Sequence, residues 1–290
     1  MLSLYAYAPA TPRHLVPGVE PVTPTRSPYD PPSDLAPGAK EARTHELLKK
    51  GDVTFSREIT WSTVNSEKPK MVSNRLIVET GDLADKIRVR SWPGDKLQFL
   101  VNGQSYVLDA HAPQGPQHSL LIKTNGGKDE VTIDDDVKHT VEIHGGDGRD
   151  ILKAGGGPTA LFGEGDEDEL RLGSGFGYAQ GGDADDVMVG GSGTNVMYGN
   201  NGNDRMYSKT GARDSKNFIF GDDGDDVLYT PDGKNHLNGG KGNNQLFVND
   251  RTTRYSGGGS DRVQDNRSKN KFSFMPRVVG SDPLPRPWLK

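Results

Sequence analysis

One apolar side chain recurs every nine residues through the second half of the chain. From residue 145 the sequence divides into seven consecutive blocks of nine, and four further blocks follow a four-residue insert at 208–211. The first four positions of the blocks are rich in glycine, which suits a backbone that turns through positive φ. The eighth position is apolar and predicts one inward side chain per block. It is occupied in order by Leu152, Leu161, Leu170, Ala179, Met188, Met197, Met206, Ile219, Leu228, Leu237 and Leu246.

The region before the blocks has a different pattern. Residues 52–144 contain runs of β-branched and aromatic residues with partial alternation, which predicts a leading β region of irregular solenoid coils. Asn102-Gly103 lies between two alternating runs and predicts a hairpin with a type I′ turn. The segment AKEARTHELLKKG, residues 39–51, contains good helix formers followed by a glycine and predicts a short helix.

Both ends of the chain have compositions that oppose a packed core. Residues 1–38 are rich in Pro, Ser and Thr and predict a disordered segment, with a secretion signal as one interpretation. Residues 265–290 form a basic, Pro-containing tail that we expect to be poorly ordered. The first residues lack the basic and apolar regions of a Sec signal peptide, so we expect any export to follow a Sec-independent route.

Composition narrows the class of protein further. Only 32% of the 290 residues are hydrophobic and 38 are glycine, which disfavours an ordinary globule with a thick apolar core. The formal net charge of −5 disfavours a nucleic-acid binder, and no apolar stretch is long enough to span a bilayer. The absence of cysteine excludes disulfides and thiolate metal sites.

The blocks resemble the RTX (hemolysin-type) nonapeptide G-G-x-G-x-D-x-U-x, in which U is apolar. GGDGRDILK and GDDGDDVLY fit closely, and the resemblance covers residues 145–264. It implies an all-β fold, a right-handed parallel β-roll or β-solenoid that binds calcium. It further implies that each block makes a six-residue loop and a short strand, and that two blocks complete one coil.

Two blocks per coil place alternate loops on opposite edges of the roll, so the sixth position separates into two rows. We call the first row the aspartate edge and the second the asparagine edge. The aspartate edge consists of Asp150, Asp168, Asp186, Asp204 and Asp226. The asparagine edge consists of Thr159, Gly177, Asn195, Asn217 and Asn235, and its stacked amides are expected to hydrogen-bond along the ladder without metal.

The charge of the aspartate edge points to a bound cation. Stacked coils are about 4.8 Å apart. Carboxylates at that spacing repel by about 0.9 kcal/mol per neighbouring pair in water, and by roughly 3–4 kcal/mol at an effective dielectric constant near 20. Calcium accepts six to eight oxygen ligands in flexible geometry, whereas magnesium requires a tighter octahedron. We therefore expect calcium between successive aspartates, and five aspartates leave at most four strong intervals.

Weaker candidates extend the row at both ends. Asp129, Asn244 and Asp261 stand in the same relation to a following apolar residue and are predicted as additional ligands. Asp166 and Ala184 replace glycine at the fourth position of two blocks and are expected to narrow the loops beside the middle intervals. An alternative interpretation is that the aspartates only solubilise turns, although this does not explain why one edge alone is acidic.

No motif in the sequence indicates catalysis, and we predict that the protein is not an enzyme. The string His45-Glu46-Leu47-Leu48-Lys49 has a lysine where a zinc-peptidase motif needs its second histidine, and no G-x-S-x-G elbow occurs. The stretch from Asn74 into the first block is similar to the β-roll region of bacterial type III effector-like zinc metallopeptidases. The peptidase domain that follows the roll in those proteins is not in this sequence, so their activity does not carry over.

These patterns predict a secreted or effector-like calcium-binding protein whose folding is coupled to ion binding. Export would place it outside the cell or in a host cell. Two alternatives remain open: a scaffold that binds a host protein or glycan with purely structural calcium, and a remnant of a larger effector.

Overall fold

Twenty-two β-strands make up the regular structure of the protein. The computed structural model of the chain describes residues 27, 29–110, 119–209, 212–249, 251–256 and 261–265, and these contain no helix. In chain order the strands are β1 (Lys40–Lys50), β2 (Val53–Ser62), β3 (Lys70–Glu79), β4 (Lys86–Trp92), β5 (Lys96–Val101), β6 (Gln104–Asp109), β7 (Ser119–Lys123), β8 (Glu130–Ile133), β9 (Thr140–Gly146), β10 (Ile151–Lys153), β11 (Thr159–Glu164), β12 (Glu169–Arg171), β13 (Gly177–Gly182), β14 (Val187–Val189), β15 (Thr194–Asn201), β16 (Arg205–Tyr207), β17 (Lys216–Asp223), β18 (Val227–Tyr229), β19 (Lys234–Asn238), β20 (Gln245–Val248), β21 (Thr252–Ser256) and β22 (Arg262–Asp265).

The strands form two eleven-stranded sheets, and from β7 onward the chain passes alternately between them. One sheet has the order β1-β2-β3-β7-β9-β11-β13-β15-β17-β19-β21, and the other has the order β22-β20-β18-β16-β14-β12-β10-β8-β4-β5-β6. Within the repeats each strand pairs in parallel with the equivalent strand of the next coil, as β11 does with β13 and β10 with β12. The predicted all-β parallel β-solenoid is confirmed.

The core is a column of single side chains between the two sheets. All eleven residues at position eight of the blocks are buried, with Met188, Met197 and Met206 among those fully enclosed. Four of the five three-residue strands of the second sheet bury only their middle residue, as in the Glu169–Arg171 strand, and β18 also buries Tyr229. A core this thin explains why the hydrophobic content of the chain is low.

The roll continues without a break into the leading β region. The β3 strand pairs in parallel with β7, and β4 pairs in parallel with β8. Beyond these strands the pairing becomes antiparallel, through β1-β2-β3 in one sheet and β4-β5-β6 in the other. Asn102 and Gly103, with φ of 50° and 77°, form the tight turn between β5 and β6. The antiparallel strands close one end of the roll.

The short helix predicted for residues 39–51 is wrong. Residues Lys40–Lys50 form β1, which pairs antiparallel with β2 from Lys40 opposite Ser62 to Lys50 opposite Val53. Burial alternates along most of this strand, because every second side chain faces the covered side of the sheet. Pairing along the full length of β2 thus overrides the helix propensity of the segment.

The predictions for the chain ends fall mostly outside the described residues. Residues 1–26, 28 and 266–290 belong to that undescribed part, whereas residues 29–38 form turns and irregular backbone before β1. In the described ranges, no helix of a length and hydrophobicity suited to crossing a membrane is found.

Candidate metal centre

Six consecutive loops on the aspartate edge share one backbone conformation. They connect the first sheet to the second, from the β9–β10 loop to the β19–β20 loop, and positions two and four of each block have positive φ. Asp166 and Ala184, with φ of 66° and 77°, adopt this conformation although they are not glycine. The backbone turn is therefore retained beside the middle intervals.

The five aspartates of this edge are buried and linked to one another. Each is at most 3% exposed. One carboxylate oxygen, Oδ1, accepts a hydrogen bond from the backbone N–H of the equivalent residue one coil earlier. The N···O distances are 2.8 Å from Asp129 to Asp150, from Asp150 to Asp168, from Asp168 to Asp186 and from Asp186 to Asp204, and 2.9 Å from Asp204 to Asp226. The ladder fixes the orientation of every carboxylate.

The second oxygen of each carboxylate lacks a hydrogen-bond partner. Oδ2 of all five aspartates is buried and unpaired among the described residues. A buried carboxylate oxygen without a partner is costly, so its repetition in five successive coils calls for a ligand.

Glycine at position one leaves room beside each unpaired oxygen. A Cβ added at Gly181 would clash with Asp186 Oδ2 and would lie 2.9 Å from the carbonyl oxygen of Gly199, in the next coil. The same arrangement recurs at Gly145, Gly163, Gly199 and Gly221. Each position therefore brings a carboxylate oxygen and a backbone carbonyl oxygen to one small space that contains no side chain.

These spaces differ from a metal site built of side chains alone. In the described part of the chain, no three His, Cys, Asp or Glu side chains converge on a common point. An ion on this edge would take carboxylate oxygens from neighbouring coils and its remaining ligands from backbone carbonyls. An all-oxygen set of this kind suits a hard cation such as calcium.

Burial changes the protonation of the aspartate edge. It raises the pKa of Asp150 and Asp226 to about 7, and that of Asp168, Asp186 and Asp204 to about 8. The backbone N–H donors offset part of the rise, and neighbouring carboxylates add to it. Near neutral pH the edge therefore holds protons that a cation would have to displace.

The asparagine edge is closed by its own side chains. Asn195 Nδ2 donates to Asn217 Oδ1 at 2.8 Å, and Asn217 Nδ2 donates to Asn235 Oδ1 at 2.7 Å, as the sequence predicts. Position one on this edge is glycine in only one of the five blocks, at Gly190. A Cβ at Gly177, for example, would lie 2.9 Å from the Leu172 side chain, which fills the interior of the loop. Hydrogen-bonded amides and apolar packing take the place of an ion here.

The weaker candidates lie in line with the aspartate edge. Asp129 precedes Asp150 in the ladder, and its Oδ2 is also buried and unpaired. Burial raises its pKa, and the Asp85 N–H offsets part of the rise. Asn244 accepts from the Asp226 N–H at 2.8 Å, and Asp261 accepts from the Asn244 N–H at 3.1 Å. Whether these residues contact metal stays a prediction.

Sequence reasoning missed the contribution of position one. The glycines at this position provide the empty space beside each carboxylate, and Thr124 occupies the equivalent place before Asp129. The signal lay in comparing the two edges at position one. On the aspartate edge the residue is glycine in all six blocks, whereas on the other edge it is Ala154, Leu172, Gly190, Ala212 or Thr230.

Comparison with known families identifies the repeats. Residues 144–178, 180–213 and 212–246 match the family model of the RTX calcium-binding nonapeptide repeat, described as four copies. No curated protein and no solved structure matches the chain. The chain therefore contains RTX calcium-binding repeats in a parallel β-roll, and a cofactor of this repeat is Ca²⁺.

Proposed function

We propose that the protein is a secreted, non-enzymatic β-roll whose folding is coupled to calcium binding along the aspartate edge. The observation that carries this proposal is the row of five buried carboxylates, each with an oxygen that lacks a partner. Calcium would pair with these oxygens and remove the repulsion between neighbouring carboxylates.

The ligands for each ion come from two successive coils. Between Asp168 and Asp186, for example, Asp168 Oδ2 and the Gly181 carbonyl oxygen both lie close to the position of a Cβ added at Gly163. The Asp186 carboxylate would add a ligand from the next coil. The aspartates Asp150 to Asp226 define four such intervals, which sets the proposed number of ions at four. Buried carboxylates and backbone carbonyls leave little space for retained water, and this disfavours magnesium.

Ion-coupled folding suits a protein that acts outside the cell. Extracellular calcium modules bind with dissociation constants of about 10⁻⁴–10⁻³ M, well above the range of cytosolic sensors. Inside the producing cell the aspartate edge would carry no calcium and be unstable, and outside it would fill and order the roll. The Sec-independent route and delivery to a host cell stay predictions of the sequence.

A calcium titration of the purified chain tests the proposal. Far-UV circular dichroism and thermal unfolding should show a gain in β signal and stability with calcium, and a much smaller gain with equal magnesium. Asp186→Asn should weaken this response. Asp183→Asn removes an equal charge from an exposed position of the same loop and should leave the response unchanged. No calcium-dependent gain in the wild type would overturn the proposal.

A second candidate function is a scaffold that binds an extended glycan, with calcium only structural. A strip of partly buried aromatic rings runs across the outer face of the first sheet. Successive ring centroids are 4.7–5.8 Å apart along His144, Phe162, Tyr178, Tyr198 and Phe220. Such rings can pack against the apolar faces of sugars.

A shallow polar groove borders this aromatic strip. It has a volume of about 300 Å³ and contains Phe162, Glu164, Gln180, Asp183, Asn200 and Asn201. Amide and carboxylate groups of this kind can hydrogen-bond sugar hydroxyls. Binding of neutral oligosaccharides of four to six residues should be lost in Tyr198→Ala and kept in Phe218→Ala, which removes an exposed ring outside the strip. Equal binding by both variants and the wild type, or by none, would reject this candidate. Asp186→Ala with an intact fold and lost oligosaccharide binding would favour a contact surface at the aspartate edge instead.

A further inference from the structure

We infer that Thr124 and Asn244 set the two ends of the calcium row, by placing a hydroxyl and an amide where the coils between them leave space for an ion. The inference rests on the proposed calcium binding and adds the residues that determine how many ions bind.

Thr124 occupies the structural position of the glycines on the aspartate edge. Lys123 pairs with His144 and Glu130 pairs with Ile151, so Thr124 aligns with Gly145 and Asp129 with Asp150. Thr124 also lies five residues before its aspartate, as Gly145 does. A coil with the same aspartate therefore has a side chain where the following coils have none.

The Thr124 hydroxyl binds the carbonyl that an ion would need. It is fully buried, and its Oγ1 donates to the Gly145 carbonyl oxygen at 2.7 Å. In the next coil the equivalent carbonyl is that of Gly163. A glycine stands beside it instead of a threonine, and a Cβ added at Gly145 would lie 2.9 Å from this carbonyl oxygen. The interval between Asp129 and Asp150 is thus filled by a neutral donor.

The preceding coil repeats this substitution. Thr80 aligns with Thr124, since Glu79 pairs with Lys123, and it lies five residues before Asp85. Its Oγ1 is 3.5 Å from the Thr124 carbonyl oxygen, at the outer limit of a hydrogen bond. Hydroxyls therefore replace ions throughout the leading coils, although Asp85 and Asp129 continue the ladder of carboxylates.

Asn244 ends the calcium row after Asp226, with a side-chain amide instead of a hydroxyl. Its Oδ1 keeps the ladder by accepting from the Asp226 N–H at 2.8 Å. Its Nδ2 takes the place of the unpaired carboxylate oxygen, and an added Cβ at Gly239 would lie 2.7 Å from it. Nδ2 donates to Asp261 Oδ1 at 3.2 Å. The interval after Asp226 therefore has an amide where the other intervals have a second carboxylate. The N–H groups of this amide repel a cation.

Counting bound calcium in matched variants tests the inference. After equilibrium dialysis against calcium, elemental analysis of the full chain should give four ions for the wild type and five for Thr124→Gly. Thr124→Ser keeps the hydroxyl and should remain at four. Asn244→Asp should bind at least five, because it supplies the missing oxygen at almost unchanged volume.

The outcomes separate this inference from the proposed function. A wild type that binds no calcium would overturn the proposed function. A wild type with four ions and a folded Thr124→Gly variant that also has four, or a Thr124→Ser variant with five, would overturn only the role of Thr124. Should Thr124→Gly not fold, Asn244→Asp decides the inference, and a count of four there overturns it.

Discussion

The pH dependence of stability should largely disappear when calcium is added. Without calcium, the native aspartate edge holds protons that the unfolded chain releases, because burial raises the pKa of its carboxyls from 3.8 to about 7 or 8. The native state thus binds more protons across this window. The stability that these protons contribute should be full below about pH 4 and should be lost as the pH rises towards 8.

The expected size of this effect is large. For Asp186, whose pKa is raised from 3.8 to about 8, the loss on going from acid to pH 8 is on the order of 5 kcal/mol. Five such groups would exceed the total stability of about 5–15 kcal/mol that is usual for a domain. At pH 8 the ion-free edge must therefore unfold locally or remain partly protonated.

Calcium replaces these protons, which gives the prediction two readouts. Thermal unfolding between pH 5 and pH 8 should show falling stability in a chelator and nearly constant stability in saturating calcium. Calorimetric titration at pH 7, in two buffers of different ionisation enthalpy, should show release of protons on binding. Asp183→Asn is the control, since its carboxylate is exposed. Ion-free stability that does not change over this range, or binding without proton release, would refute the reasoning.

Three further changes test the rest of the molecule. Asn217→Ala removes both amide hydrogen bonds of the asparagine ladder and should lower the free energy of unfolding by about 2–3 kcal/mol in denaturant titrations. The loss should be equal with and without calcium, and a calcium-dependent loss would contradict an ion-free edge. Gly224→Ala places a Cβ against the Gly202 carbonyl at a φ of 148° and should weaken calcium binding at least about tenfold in calorimetry; unchanged affinity would show that loop conformation does not matter. Met197→Ala should cost about 2–5 kcal/mol with the calcium count unchanged, and a loss below about 1 kcal/mol would contradict its place in the core.

Much of the roll follows from two positions in the repeat. An apolar residue at position eight is enough to place Leu152 or Met197 in the core, because each coil buries only a few side chains. The charge at position six separates the two edges, because two blocks per coil alternate between them. Both inferences depend on a constant period. With a constant period each coil contacts only its neighbours, so equivalent positions have equivalent surroundings.

Outside the regular period the sequence is less informative. Asp129 and Asp150 are 21 residues apart, whereas aspartates within uninterrupted coils are 18 apart, so the register of Thr124 cannot be read from spacing. The β1 strand has a helical composition and becomes a strand only through pairing with β2. Positive φ at Ala184 is likewise imposed by the neighbouring coils and not by the residue itself.

The four-residue insert at 208–211 shows where the roll tolerates change of length. It falls between β16 and β17, on the asparagine edge. Asp204 and Asp226 are consequently 22 residues apart, yet the Asp204 N–H still reaches Asp226 Oδ1 at 2.9 Å. The insertion therefore leaves the distance between neighbouring coils on the aspartate edge unchanged. In evolution or in engineering, the loop between β16 and β17 is the place to insert a foreign peptide, because the ion-binding edge stays intact.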